Sequence, residues 1–294
     1  MHSLADLNFH SDDESSRYSD KPLPVDWKVY DVLLYDFRTQ PGQICMSTLL
    51  MPLPDSDFDP TESGVPWRTM RDHGHRVVFA TPSGRRARAD PKMVTGEGLG
   101  ILSPLLKADA NGRSAYLEME QSDAGFRRPI SYGEIRAADF DALILTGGHA
   151  PGMRVYLGSG VLQSAVGDFF AQKKPVGAIC HGVLLAARSS FHPGKSVLYG
   201  KKTTALTKQM ELIAWRLTRL YLGDYYRTYP TTVEDEVRSA LARPEDFITG
   251  PLPLRRDSAA RLGVGFTVRD GEYLSARWPG DAHRFAAEFA AMIG

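Results

Sequence analysis

Apolar positions along this chain fall into short dense runs, separated by stretches with helical spacing. The run at 29–37 reads as the first strand, and the Pro-, Asp- and Ser-rich stretch from 38 to about 60 reads as a long connection. Residues 62–72 carry helical spacing and stop at His73-Gly74, with glycine where a helix is expected to end. A strand is expected at 76–81 and a turn at 82–84. Residues 85–132 are irregular, with one helix expected around 99–106. The apolar run at 140–146 predicts a buried strand, followed by a helix over 161–172 and a short, fully apolar strand at 175–179. Further helices are expected at 183–188 and 208–222, with a strand at 203–206 between them. Two strands, 265–268 and 273–276, flank the turn Asp270-Gly271, and a helix over 281–292 closes the chain. Strands alternating with helices predict a mostly parallel sheet covered on both faces. Ligands of such sheets sit at the carboxyl ends of the strands. Gly147-Gly148 and Cys180-His181 both fall at such ends.

The chain has 294 residues, 43% hydrophobic and 24% charged, which is ordinary globular composition. Thirty-five basic residues balance thirty-five acidic ones. A nucleic-acid-binding protein usually carries a basic surplus, so neither nucleic acid nor an anionic membrane is expected as a partner. No apolar run approaches the roughly 20 residues that span a bilayer, and the start lacks the pattern of a signal peptide. A soluble, cytoplasmic protein is the expectation. Residues 1–26, polar and acidic and closed by Pro22 and Pro24, read as a disordered or draped arm. Residues 27–294 read as one domain with insertions at about 38–60 and 85–132. The two cysteines, Cys45 and Cys180, make no disulfide framework.

Ala178-Ile179-Cys180-His181-Gly182 joins an apolar strand to a helix with no loop between. The junction residue must take a tight, strained turn that lifts its side chain clear of the sheet, an arrangement hydrolases use for a nucleophile. A thiol at a helix N-terminus is stabilised as thiolate, so the Cys180 pKa is expected below the free value of about 8.5. Cys45 has no such context and reads as structural. His181 is placed to act as base or to orient the thiolate. Backbone amides of Gly147, Gly148 and His181 can face a developing oxyanion, although paired glycines also serve tight turns.

On these residues the chain resembles the PfpI/ThiJ superfamily, whose fold is related to class I glutamine amidotransferases. The matching segments are the elbow 178–182, the run Thr146-Gly147-Gly148-His149-Ala150-Pro151-Gly152-Met153, and Glu62-Ser-Gly-Val-Pro66 before the helix closing at Gly74. The resemblance is strongest to the heat-shock chaperone and glyoxalase III branch. It implies a flavodoxin-like α/β sandwich, with a mostly parallel sheet, helices on both faces and a nucleophile elbow. It also implies a homodimer, to which the aromatic stretch from Trp215 to Tyr229 can supply interface.

The family's glutamate, four residues before a proline, hydrogen-bonds the nucleophilic cysteine, and that role falls to Glu62. Beside a thiolate its own pKa should rise, letting it donate a hydrogen bond and pass a proton. An acidic residue that orients the histidine follows a glycine by eleven positions in the chaperone branch. Counting from Gly200 gives Glu211, which reads equally as a solvent-facing helical residue. The resemblance thus makes Cys180, His181, Glu62 and Glu211 catalytic, and Gly147, Gly148, His149 and Gly182 oxyanion- or substrate-binding.

No late His-x-Glu pair follows, so glutamine amidotransfer is not expected. His73 and His75 read as surface residues, and neither metal nor cofactor is expected. The expected function is cysteine-dependent chemistry on a small electrophilic carbonyl, most concretely cofactor-free conversion of a 2-oxoaldehyde to a 2-hydroxy acid. The alternatives are a hydrolase or hydratase on the same elbow, or a holdase chaperone or oxidative-stress sensor without turnover.

Overall fold

In the computed structural model, residues 46–192 and 194–294 are described. In chain order the elements are β1 (Thr48–Pro52), β2 (Ser56–Phe58), α1 (Pro60–Asp72), β3 (Arg76–Thr81), β4 (Arg88–Ala89), α2 (Pro91–Thr95), α3 (Ser103–Leu106), α4 (Ala110–Ser122), α5 (Ala124–Arg127) and β5 (Ile130–Ser131). They continue with β6 (Ala142–Leu145), α6 (Met153–Leu157), α7 (Gly160–Ala171), β7 (Val176–Ile179), α8 (His181–Arg188), α9 (Lys208–Leu222), α10 (Val233–Ala240), β8 (Thr267–Asp270), β9 (Tyr273–Ala276) and α11 (Ala282–Ile293).

The main sheet runs β5-β3-β1-β6-β7-β9-β8, and every pairing is parallel except the β8–β9 hairpin. Its five central strands, taken in chain order, lie 2-1-3-4-5, the flavodoxin-like arrangement. Strands β6 and β7 are buried at every position, as a sheet covered on both faces requires. Two helical groups do the covering. One packs α1 against α4 and α11, and the other packs α8 against α6, α7 and α10.

The strand order reverses between β1 and β6. Chain leaving the carboxyl ends of β1, β6 and β7 therefore converges there, and it carries Glu62, Gly147 and Cys180 respectively.

The pattern along the chain misplaces some elements. The strand expected at 29–37 and the arm at 1–26 lie outside the described residues. The stretch 38–60, expected as a connection, contains central strand β1. Its run Thr-Leu-Leu-Met-Pro is buried from Leu49 onward and has no alternation to reveal it. Helix α4 lies in the stretch expected to be irregular. The strand expected at 203–206 makes a single bridge, Thr203 to Phe247, because Thr204 N–H donates to the Ser275 side chain at 3.0 Å instead of extending a ladder.

Candidate active site

Strand β7 runs into α8 through Cys180, whose backbone sits at φ 57°, ψ −122°. A side chain held in this sparsely populated region costs about 1–3 kcal/mol and persists only where its surroundings over-determine it. They do so here. Cys180 N–H donates to Ala276 O at 3.0 Å, and Cys180 O accepts from Val183 N–H at 3.2 Å. Gly182 presses onto the end of β6 so closely that a Cβ would lie 2.2 Å from Leu145 O. The expected ligand-binding role of Gly182 therefore gives way to a packing one.

Helix α1 delivers Glu62. Asp59 caps it, accepting from Thr61 N–H at 2.7 Å and Glu62 N–H at 3.0 Å, and Pro60 supplies the preset first turn. Glu62 is fully buried. Its Oε2 accepts from Gly147 N–H at 2.9 Å, and its carboxyl interacts directly with the Cys180 thiol, although Oε1 reaches no partner at full hydrogen-bond geometry. A Cβ on Gly147 would lie 2.6 Å from Glu62 Oε2, 2.7 Å from His181 N and 2.8 Å from Cys180 Cβ. Only glycine fits between acid and thiol. The Gly147 amide, committed to Glu62, is withdrawn from the oxyanion role expected of it. Gly148 follows, where a Cβ would lie 2.7 Å from Asp57 O and 3.1 Å from Asp59 N.

His181 Nδ1 lies 3.5 Å from Cys180 Sγ, and Nε2 lies 3.2 Å from Thr228 Oγ1. The Thr228 hydroxyl donates its single hydrogen to His149 O at 2.7 Å. It can therefore only accept from His181, so the imidazole proton sits on Nε2. Nδ1 is left as a lone pair facing the thiol, the arrangement a general base needs.

Thr228 thus stands where a third, orienting group was expected from Glu211. The Glu211 carboxylate is spent elsewhere, on Arg227 Nη1 at 2.7 Å and on Val233 N–H at 2.8 Å at the start of α10. No pattern in the sequence marks Thr228, which lies in an aromatic-rich stretch. Asp59, by contrast, was readable as an acidic cap before Pro60.

Burial and like charge set the electrostatics. Desolvation first, then Asp59, raises the Glu62 pKa well above its usual value. Desolvation pushes Asp59 up to about 6. The Cys180 thiol is also raised, by burial first and by Glu62 and Asp59 next, and the His181 amide opposes this only in part. The depressed thiol pKa expected from the helix N-terminus is therefore overturned, because one backbone amide is outweighed by desolvation and two carboxylates. Thiol and carboxyl interact, so their titrations are coupled. Burial holds both histidines neutral, His149 at about 4 and His181 well below its usual value.

The His149 ring stands edge-on to His181, with centroids 5.0 Å apart, and to Tyr226. Among the described residues, His149, Cys180 and His181 form a group able to hold a metal ion, their ligand atoms within 4.8 Å of one another. A thiolate with two neutral imidazoles suits a soft divalent cation. Cys45 lies outside the described residues. Among those residues no helix is long and apolar enough to cross a membrane.

A family model described as ThiJ/PfpI family-like matches residues 53–251. Deglycase PfpI of Pyrococcus furiosus is 24% identical over 244 residues, covering 81% of this chain and 95% of its own. Protein/nucleic acid deglycase 2 of Escherichia coli is 40% identical over 77 residues, covering 26% of this chain and 40% of its own. Among solved structures, glyoxalase III of Candida albicans superposes with a TM-score of 0.60 at 18% identity, covering 84% of this chain and 97% of its own. Rapid Encystment Protein 24 kDa of Francisella tularensis gives 0.63 at 18% identity, covering 85% and 100%.

Proposed function

Because the chain belongs to the ThiJ/PfpI family, we propose that it is a cysteine-dependent enzyme converting a 2-oxoaldehyde to a 2-hydroxy acid without a cofactor. The observation that carries this reading is His181 Nδ1 placed 3.5 Å from a thiol that also meets the Glu62 carboxyl. Relatives named deglycase and glyoxalase III support carbonyl chemistry at this elbow.

Cys180 Sγ bonds to the aldehyde carbon C1. The thiol proton passes to His181 Nδ1 and on to the new C1 alkoxide, giving a hemithioacetal. Glu62 then takes the C1 hydrogen as carboxylate, with its basicity raised by burial, and returns it to C2. The electron pair moves from the C1–H bond to C2 while the C1 hydroxyl proton passes to the C2 oxygen, so C1 becomes a thioester carbonyl and C2 an alcohol carbon. Water cleaves the C1–S bond, which releases the 2-hydroxy acid and restores the thiol. Overall the oxoaldehyde gains one water, with C1 oxidised and C2 reduced, so no external redox partner is needed. The His181 amide faces the sulfur and lies beside the oxygen that develops charge.

The test is methylglyoxal incubated with the full chain in deuterated water and followed by proton NMR. Lactate should appear with Cys180 intact and vanish with Cys180→Ala. No lactate above the buffer rate, or equal rates in the two proteins, overturns the proposal.

We also propose a homodimer in which the exposed Leu220 and Tyr221 of α9 contribute apolar contact. Light scattering at twice the 32.5 kDa chain mass is the expected result, and the monomer mass refutes it.

A further inference from the structure

A cavity of about 520 Å³ opens beside the candidate active site. That volume falls in the range of small-molecule sites and far exceeds what a three-carbon substrate fills. Its walls are mostly apolar, with Met93, Leu106, Met210, Leu217 and Trp278 among the lining side chains and Arg255 and Arg256 at the 249–256 segment. Met93, Leu106 and Tyr226 belong to a second hydrophobic cluster, separate from the main core, so the wall is packed rather than loose. Arg277 also lines the cavity, but its guanidinium is spent on Asp281, with Nε–Oδ2 2.9 Å and Nη2–Oδ1 3.1 Å.

The cavity reaches the reacting groups through one side chain. His149 lines it, stacks edge-on against His181, and holds a ring nitrogen within 4.8 Å of Cys180 Sγ. His149 Nε2 is buried with no hydrogen-bond partner, and a buried polar atom left this way costs about 1–3 kcal/mol. A substrate oxygen is the partner it lacks. An apolar chamber ending at a polar atom beside a thiol suits a molecule with a polar reactive head and an apolar tail.

Resting on the function proposed above, we propose that this cavity binds the apolar tail of the substrate, and that the preferred substrate is a long-chain 2-oxoaldehyde rather than methylglyoxal. His149 meets the oxygen of the head group, and α9 with residues 249–256 encloses the tail.

The test uses the full chain and two series of three to ten carbons. Binding of the unreactive 2-hydroxy acids is measured by calorimetry, and turnover of the matching 2-oxoaldehydes by acid formation. Each methylene removed from water should tighten acid binding and raise kcat/KM about fourfold until the cavity is full. Leu217→Glu, at a half-exposed position on the cavity wall, should flatten both series while keeping the melting temperature. Equal affinity along the acid series overturns the proposal, as does a slope that Leu217→Glu leaves intact. Cys180-dependent turnover of methylglyoxal with a flat series overturns the proposal alone and leaves the function standing. Turnover of no oxoaldehyde overturns the function, and this substrate assignment with it.

Discussion

Thr228→Val replaces a hydroxyl with a methyl of nearly the same shape at a position 2% exposed. Two groups lose their partner, His181 Nε2–H and the His149 carbonyl. Each orphaned buried group costs about 1–3 kcal/mol, so the variant should lose about 2–6 kcal/mol of stability before relaxation. The chemical consequence is separate. Without an acceptor at Nε2, the imidazole proton is free to move to Nδ1, which then donates toward Cys180 Sγ and no longer accepts from it. General-base assistance is worth about 10²–10⁴ in rate, and turnover should fall by at least the lower figure. The assay is iodoacetamide alkylation across pH, read peptide by peptide in a mass spectrometer so that Cys180 and Cys45 are followed separately. The Cys180 profile of Thr228→Val should move to lower pH, because an Nδ1–H donor stabilises the thiolate, and Thr228→Ser, which keeps the hydroxyl, should restore it. A folded Thr228→Val protein with the wild-type profile and turnover would refute the tautomer argument.

Glu62→Gln should cut turnover by about 10²–10⁴, because the amide keeps a donor beside the thiol but cannot carry the C1 hydrogen; steady-state kinetics on melt-matched protein checks this. Glu211→Ala should cost about 1–3 kcal/mol in urea unfolding, because the buried Val233 N–H and the partly buried Arg227 each lose an acceptor. The Cys180 alkylation profile should keep its shape in that variant, which a triad residue would not permit. Asp59, at about 6 against its usual 3.8, keeps in the folded chain a proton that the unfolded chain has lost between those pH values. Stability should therefore fall by about 3 kcal/mol as pH rises from 4 to 7. Asp59→Asn caps α1 without ionising, so its stability relative to wild type should improve by about that amount over the same range, and a pH-independent difference in urea unfolding would count against the assignment.

Much of the scaffold is local and was legible along the chain. Helix α9 spans the residues its spacing predicts, and β8 and β9 pair around Asp270-Gly271 as the turn residues dictate. The elbow at Cys180 could be read because an apolar strand abutting a helix leaves one backbone solution, and the positive φ is that solution. Glu62 could be read through the family resemblance carried by Glu62-Ser-Gly-Val-Pro66, and α1 begins one residue after the Asp59 cap.

What depends on sums over distant neighbours could not be read. Strand β1 is too short and too uniformly apolar to be distinguished from its Pro-rich surroundings; its pairing with β3 and β6 defines it. Sequence counting pointed to Glu211 as the group that orients His181. Chain returning after α9 places Thr228 there instead, while Arg227 takes the carboxylate of Glu211. The helix N-terminus at Cys180 is a local feature and argues for an acidic thiol. The burial, Glu62 and Asp59 that raise its pKa come from other elements. The cavity, too, is assembled from segments more than a hundred residues apart, with Met93, Leu217 and Trp278 all lining it. Short-range propensity determines which backbone shapes are possible. Desolvation, proton location and cavity volume exist only once the chain has closed on itself.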